Sequence, residues 1–159
     1  MRRVRGVIAS LLAGGLLGAG CAPPAVPAAP GTLIYLGQKR IRPGAGFDGT
    51  VIGGLSALSY DAQRDQYYVL SDDRSAINPA RFYTVRLSLT ERGIDDVTFT
   101  GTHPLLDTDG KPFRPLSPDR SPPVVPPDPE GLAFDATRQR LYWSSEGERI
   151  TGGPHGRVL

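Results

Sequence analysis

Four carboxylates and one arginine carry the clearest chemistry in this chain. Glu130 stands in the acidic turn Asp128-Pro129-Glu130-Gly131, and Glu146 precedes Gly147. Between them lie a short apolar run (132–134), a polar turn (135–139) and a second β-prone run (140–145). Two such runs around a turn predict a hairpin. In an antiparallel hairpin the start of the first strand lies beside the end of the second. Glu130 and Glu146 therefore belong at one end of a sheet, close enough to share a cation. Asp72 and Asp73 end an earlier stretch of the same kind, and Arg74 follows them.

Carboxylates supplied from loops at one rim suit calcium, which takes about six to eight oxygen ligands. A metal there would bridge and polarise a phosphate ester and make bound water more acidic. The planar fork of Arg74 would contact the phosphate oxygens. The competing role for such acids is capping of turns through backbone N–H groups. Asp61 and Asp135, inside the hairpin turns, are assigned to capping alone. For Asp72, Asp73, Glu130 and Glu146 both roles stay open. No histidine accompanies them, so the metal's identity is open too, and no catalytic nucleophile or base is assigned.

The elements that must position these residues repeat. Residues 58–73, LSYDAQRDQYYVLSDD, align with residues 132–147, LAFDATRQRLYWSSEG, at a constant offset of 74, the difference between 132 and 58. The alignment pairs Leu58 with Leu132, Asp61 with Asp135, Arg64 with Arg138, Tyr68 with Tyr142, Ser71 with Ser145 and Asp72 with Glu146. Self-similarity at a fixed offset points to a repeat architecture.

Four strands are predicted in sequence, over residues 54–60, 66–71, 81–89 and 96–100, the last after a turn at Gly93. In the third, Tyr83, Val85, Leu87 and Leu89 alternate with Phe82, Thr84, Arg86 and Ser88, the pattern of one half-buried face. The first two carry apolar residues on both faces, as strands covered on both sides do. Four antiparallel strands with the more apolar ones inside describe a propeller blade. Ahead of them lie a β-prone run (32–36) and a glycine-rich loop (42–49). Prolines at 112, 115, 118, 122, 123, 126 and 127 exclude a ladder between the blades and predict a long surface loop. The 130–146 hairpin then opens a second blade.

The fold class expected is therefore all-β: an incomplete β-propeller, one blade and the opening hairpin of a second, behind a signal peptide. Covering a blade face of roughly 500 Å² contributes ~12 kcal/mol, as much as a typical domain's whole net stability of about 5–15 kcal/mol. One and a half blades with bare faces predict either the first part of a longer propeller or a piece that depends on assembly.

The N-terminus predicts export. Arg2, Arg3 and Arg5 precede an uncharged apolar run (7–20) too short to span a bilayer as a helix. Cys21, the single cysteine, follows Leu17-Gly18-Ala19-Gly20, which resembles a bacterial lipoprotein signal with Cys21 as the lipidated first residue. An ordinary secretory signal with an incidental cysteine is the alternative. The expected organisation is a signal peptide (1–20), a Pro/Ala-rich tether (21–31) and the propeller part (32–159). The protein would then be exported, in the periplasm or on the outer surface, and membrane-anchored through Cys21. Without the three N-terminal arginines, 15 basic residues stand against 16 acidic ones. That balance leaves no basic footprint for nucleic acid.

Gly53-Gly54-Leu55-Ser56-Ala57-Leu58-Ser59-Tyr60-Asp61, Leu70-Ser71-Asp72-Asp73-Arg74, Ala80-Arg81-Phe82-Tyr83, Asp128-Pro129-Glu130-Gly131 and Ser144-Ser145-Glu146-Gly147 together resemble the phytase-like family, also described as esterase-like activity of phytase. The resemblance covers residues 33–148. It implies an exported bacterial β-propeller and a phosphorylated small-molecule substrate, with a phosphoester hydrolase as the expected activity. The alternative is a non-catalytic envelope module whose propeller binds a ligand or protein.

Other motifs fail on inspection. Leu58 occupies the second glycine position of a nucleophile elbow around Ser56. Leu105 and Leu116 stand where a calcium loop around Asp107-Thr108-Asp109-Gly110 needs its first and last ligands. His155 lies in a glycine-rich tail without the preceding arginine of the histidine acid phosphatases, and His103 is expected at the surface at a strand end.

Overall fold

A computed structural model describes residue 31 and residues 34–147 of the chain. The expected signal segment (1–20), Cys21, nearly all of the expected tether and the tail with His155 lie outside the described residues. Among the described residues every regular element is a β-strand, and no helix is present.

The first pair of strands is small. Gly46–Phe47 (β1) and Thr50–Val51 (β2) pair antiparallel across Asp48-Gly49, whose φ angles of 50° and 75° are left-handed. A two-residue hairpin turn of this kind requires positive φ at both central positions, which is why Asp-Gly serves it. The expected glycine-rich loop thus contains a tight hairpin.

The main sheet has four antiparallel strands in sequential order: Leu55–Asp61 (β3), Gln66–Ser71 (β4), Arg81–Thr90 (β5) and Gly93–Pro104 (β6). A second sheet is the hairpin Pro129–Asp135 (β7) and Arg140–Ser145 (β8). The six expected strands are all present. β6 runs well beyond residues 96–100 because Gly93 pairs with Thr90 at one end and His103 and Pro104 pair with Phe82 and Arg81 at the other. Residues 105–128 contain isolated bridges only, Leu106 with Pro112 and Ser117 with Val124. There the prolines remove the donors a ladder needs.

Pairing register divides the main sheet into two faces. On one, Val69, Tyr83 and Val85 form a core under Phe47, Ile52, Tyr67, Leu87, Val97 and Phe99. On the other, Leu70, Ala80 and Leu105 are covered by Ala57, Phe82, Phe113 and Leu132. β7 packs on this second face. Tyr68 and Phe134 lie 5.1 Å apart between ring centres, and the Phe134 N–H donates to Ser59 Oγ at 2.9 Å. His103 is exposed, with its ring stacked on Phe82 at 4.9 Å.

The alternation of β5 is as expected, with Arg81, Tyr83 and Val85 buried on one side. β4 is covered on both faces, Tyr68, Val69, Leu70 and Ser71 all being buried. β3 departs from the expectation. Leu55, Leu58 and Tyr60 are exposed, because β7 covers only the Ala57 and Ser59 side of that strand.

Candidate functional site

The two hairpins repeat in detail as well as in sequence. Asp61 accepts from the Gln63 and Arg64 N–H groups and from Arg64 Nη1; Asp135 accepts from Thr137, Arg138 and Arg138 Nη1 in the same way. Asp65 and Gln139, one repeat apart, both take left-handed φ, 47° and 53°. These two aspartates cap turns, and their oxygens are directed into the loops rather than toward a ligand.

At the opposite end the repeat builds the rim. The Asp72 N–H donates to Gly54 O at 2.7 Å, and the Glu146 N–H donates to Asp128 O at 3.0 Å, equivalent closures of the two hairpins. Each first strand carries a register shift at the same place, between Leu55 and Ala57 and between Pro129 and Gly131. The extra residue is Ser56 in one copy and Glu130 in the other. A bulge bends its strand and re-aims a side chain, and bulges are common beside functional sites. Ser56 Oγ spends its hydrogen bond on Pro129 O at 3.1 Å, tying the first bulge to the second. In the second copy the same position holds a carboxylate.

The result is a cluster. Ligand-capable oxygens of Asp128, Glu130 and Glu146 lie within 4.8 Å of one another. Glu130 is pushed above its ordinary carboxyl range, first by burial and then by the charges of Glu146, Asp128 and Asp72. Asp72 thus belongs to the same electrostatic neighbourhood. The cluster opens into a polar cavity of about 520 Å³ whose walls include Gly54, Asp72, Arg74, Asp128 and Glu130. Arg74 Nη1 stands 3.6 Å from Asp128 Oδ2 at its edge.

Asp73 has a different part. Its Oδ1 accepts from the Ala76 and Ile77 N–H groups at 2.8 and 3.1 Å, and its Oδ2 from Asn78 N–H and Arg81 Nη1, both at 2.8 Å. Burial pushes its carboxyl up, but Arg81 and those three N–H groups outweigh it and hold it below the ordinary value. Asp73 thus organises the loop that sets Asp72 and Arg74 on either side of it.

The structure therefore brings Glu130 and Glu146 together, adds Asp128, and places Asp72 and Arg74 on the same cavity. Asp128 stands in the same acidic turn as Glu130, and its place before Pro129-Glu130 is the sequence signal for it. Arg81 is not among the residues expected at the site; it continues the inward Tyr83–Val85–Leu87 alternation by two positions.

A sequence model of one family, phytase-like (esterase-like activity of phytase), matches residues 50–156. The chain belongs to the phytase-like family. No curated protein and no solved structure matches it. The matched region of this phytase-like chain contains the main sheet, the second hairpin and every residue of the acidic rim.

The donor set fits the calcium expected from the rim carboxylates. All the converging groups are carboxylate oxygens, the hard donors calcium takes. Their mutual repulsion, which adds to burial in raising Glu130, would be relieved by a divalent cation.

Proposed function

We propose that this phytase-like domain hydrolyses phosphate esters with calcium held by Asp128, Glu130 and Glu146, and with Asp72 at the border of the same site. The observation that carries the reading is the convergence of those three carboxylates within 4.8 Å on a bulged rim that also presents Arg74. Calcium, when bound, would polarise a phosphoryl group and acidify a water. Arg74 would hold the phosphate oxygens through its planar fork, with Asp128 steadying the guanidinium. The Asp73–Arg81 brace keeps Asp72 and Arg74 pointed into the cavity.

The fold reading that accompanies it is a β-propeller, with β3–β6 as one blade and β7–β8 opening the next. Its support is the sequential antiparallel meander, the fixed-offset repeat and the face-to-face stacking of β7 on β3 and β4. The domain follows an export signal (1–20) and a tether (21–31), with Cys21 as lipid anchor and the envelope as its location. The basic start, the short apolar run and the lone cysteine support that part.

The test is phosphate release by the full chain from phytate and from simple phosphomonoesters, with calcium and with chelator. Calcium-dependent release lost in the Glu130→Gln variant supports the proposal. Saturable binding of the phosphorylated compound with no turnover would instead make the domain a binding module.

A further inference from the structure

The apolar side of β3 is open, and the repeat itself shows what shape fits it. Register places Leu58, Tyr60, Tyr67 and Val69 on one face of the main sheet, continuing to Tyr83 and Val85 on β5. Leu58 and Tyr60 are 55% and 46% exposed, and Leu58 lines an apolar trough of about 290 Å³ together with Leu87 and Phe99. One repeat later, the equivalents of Leu58 and Tyr60 are Leu132 and Phe134. Those two are not open. Leu132 packs on the Leu70 cluster and Phe134 on Tyr68. The surface that receives them is the opposite face of the preceding hairpin, centred on Tyr68.

That receiving surface also has an equivalent one repeat later. Tyr142 corresponds to Tyr68, and on β8 it is 49% exposed, with nothing among the described residues playing the part of Phe134. The described residues thus carry both halves of the chain's own internal interface, open on two different surfaces. Tyr60 has the character of a Phe134 without its Tyr68, and Tyr142 is a Tyr68 without its Phe134.

We propose that this chain associates head to tail, the Leu58–Tyr60 face of one copy seating on the Tyr142 face of a second. The contact continues the stacking of β7 on β3 and β4 from one molecule to the next, with Tyr60 over Tyr142 of the second copy as Phe134 lies over Tyr68. The two surfaces differ, so the interface is heterologous and closes into a ring or propagates rather than stopping at a two-fold dimer. It does not depend on the metal-site reading.

Sedimentation velocity of the full chain over a range of concentrations, with Leu58→Asp and Tyr142→Asp variants, tests this. Both positions are exposed, and near-UV circular dichroism checks that the fold is kept; Tyr60→Ser and Tyr142→Ser are the milder pair. Wild type should associate with increasing concentration beyond the dimer. Each variant alone should be monomeric, with association weakened at least about tenfold. An equimolar mixture of the two variants should give a dimer and nothing larger, because one intact copy of each surface remains. A monomeric wild type, a mixture that stays monomeric, or a species that stops at the two-fold dimer would overturn the proposal.

Discussion

Arg81 Nη1 lies 2.8 Å from Asp73 Oδ2 with both side chains almost wholly out of solvent, 2% and 9% exposed. The same guanidinium donates to the Tyr83 hydroxyl at 2.6 Å and to Val51 O at 2.7 Å, so one side chain links β2, β5 and the loop after β4. Removing one partner of a buried pair leaves an uncompensated charge, which costs about 3–5 kcal/mol. Arg81→Met should lower stability by that amount in chemical denaturation. Asp73→Asn should cost a similar amount, since it removes the counter-charge of Arg81 and sets an NH2 group against hydrogen-bond donors.

Glu130 makes stability depend on pH in a direction opposite to the usual acid group. Its folded pKa is raised by burial and by Glu146, Asp128 and Asp72. The protonated form is therefore favoured by the fold. That contribution is complete below the unfolded pKa and is lost as pH rises through the raised folded value. Metal-free protein should lose stability across this window, and Glu130→Gln should flatten the dependence. Denaturation midpoints measured through the weakly acidic range decide it.

Calcium should reverse that sign by holding the cluster ionised. Titration calorimetry should show one site on the full chain, with affinity falling at least about tenfold in Asp128→Asn and in Glu146→Gln, because each removes a charged oxygen donor. Arg74→Ala should leave calcium affinity within a few fold and raise the KM for a phosphate ester. Wild-type calcium binding in both carboxylate variants would place the ion elsewhere.

Gly54 makes room for Asp72. Its φ is 54°, in the left-handed region, and a Cβ added there would fall on the Asp72 carboxylate. Gly54→Ala should cost about 1–2 kcal/mol from the backbone alone. It should also displace Asp72 from the cavity, weakening calcium further than Asp72→Asn does if the neighbouring loop shifts with it. Calorimetry on the two variants side by side separates the effects.

The turn aspartates offer an internal comparison. Asp61 and Asp135 make the same three local hydrogen bonds, yet the Asp61 side chain is fully buried and also accepts from the Tyr68 hydroxyl at 3.2 Å, while Asp135 is 20% exposed. Asp61→Asn should therefore lower the melting temperature more than Asp135→Asn. Equal shifts would show that the local turn bonds alone set the effect.

Much of this protein was determined by its sequence alone, because the signals were local. Strand alternation in β5, the Asp-capped turns of β3–β4 and β7–β8 and the prolines of residues 105–128 each act within a few residues of themselves. The fixed-offset repeat then carried Glu130 and Glu146 to one rim, since an antiparallel hairpin must bring its ends together. Tertiary structure decided the rest. Asp128 joins the cluster, and Glu130 is turned toward it, only because β7 carries a bulge that shifts the register by one residue. Both Asp73 oxygens are engaged by backbone N–H groups and by an arginine eight positions along the chain (81 against 73) that becomes buried when β5 pairs with β4. The bare face of β3 likewise depends on which side β7 covers: it covers the Ala57 and Ser59 side and leaves the more apolar Leu58 and Tyr60 exposed, which no local pattern encodes.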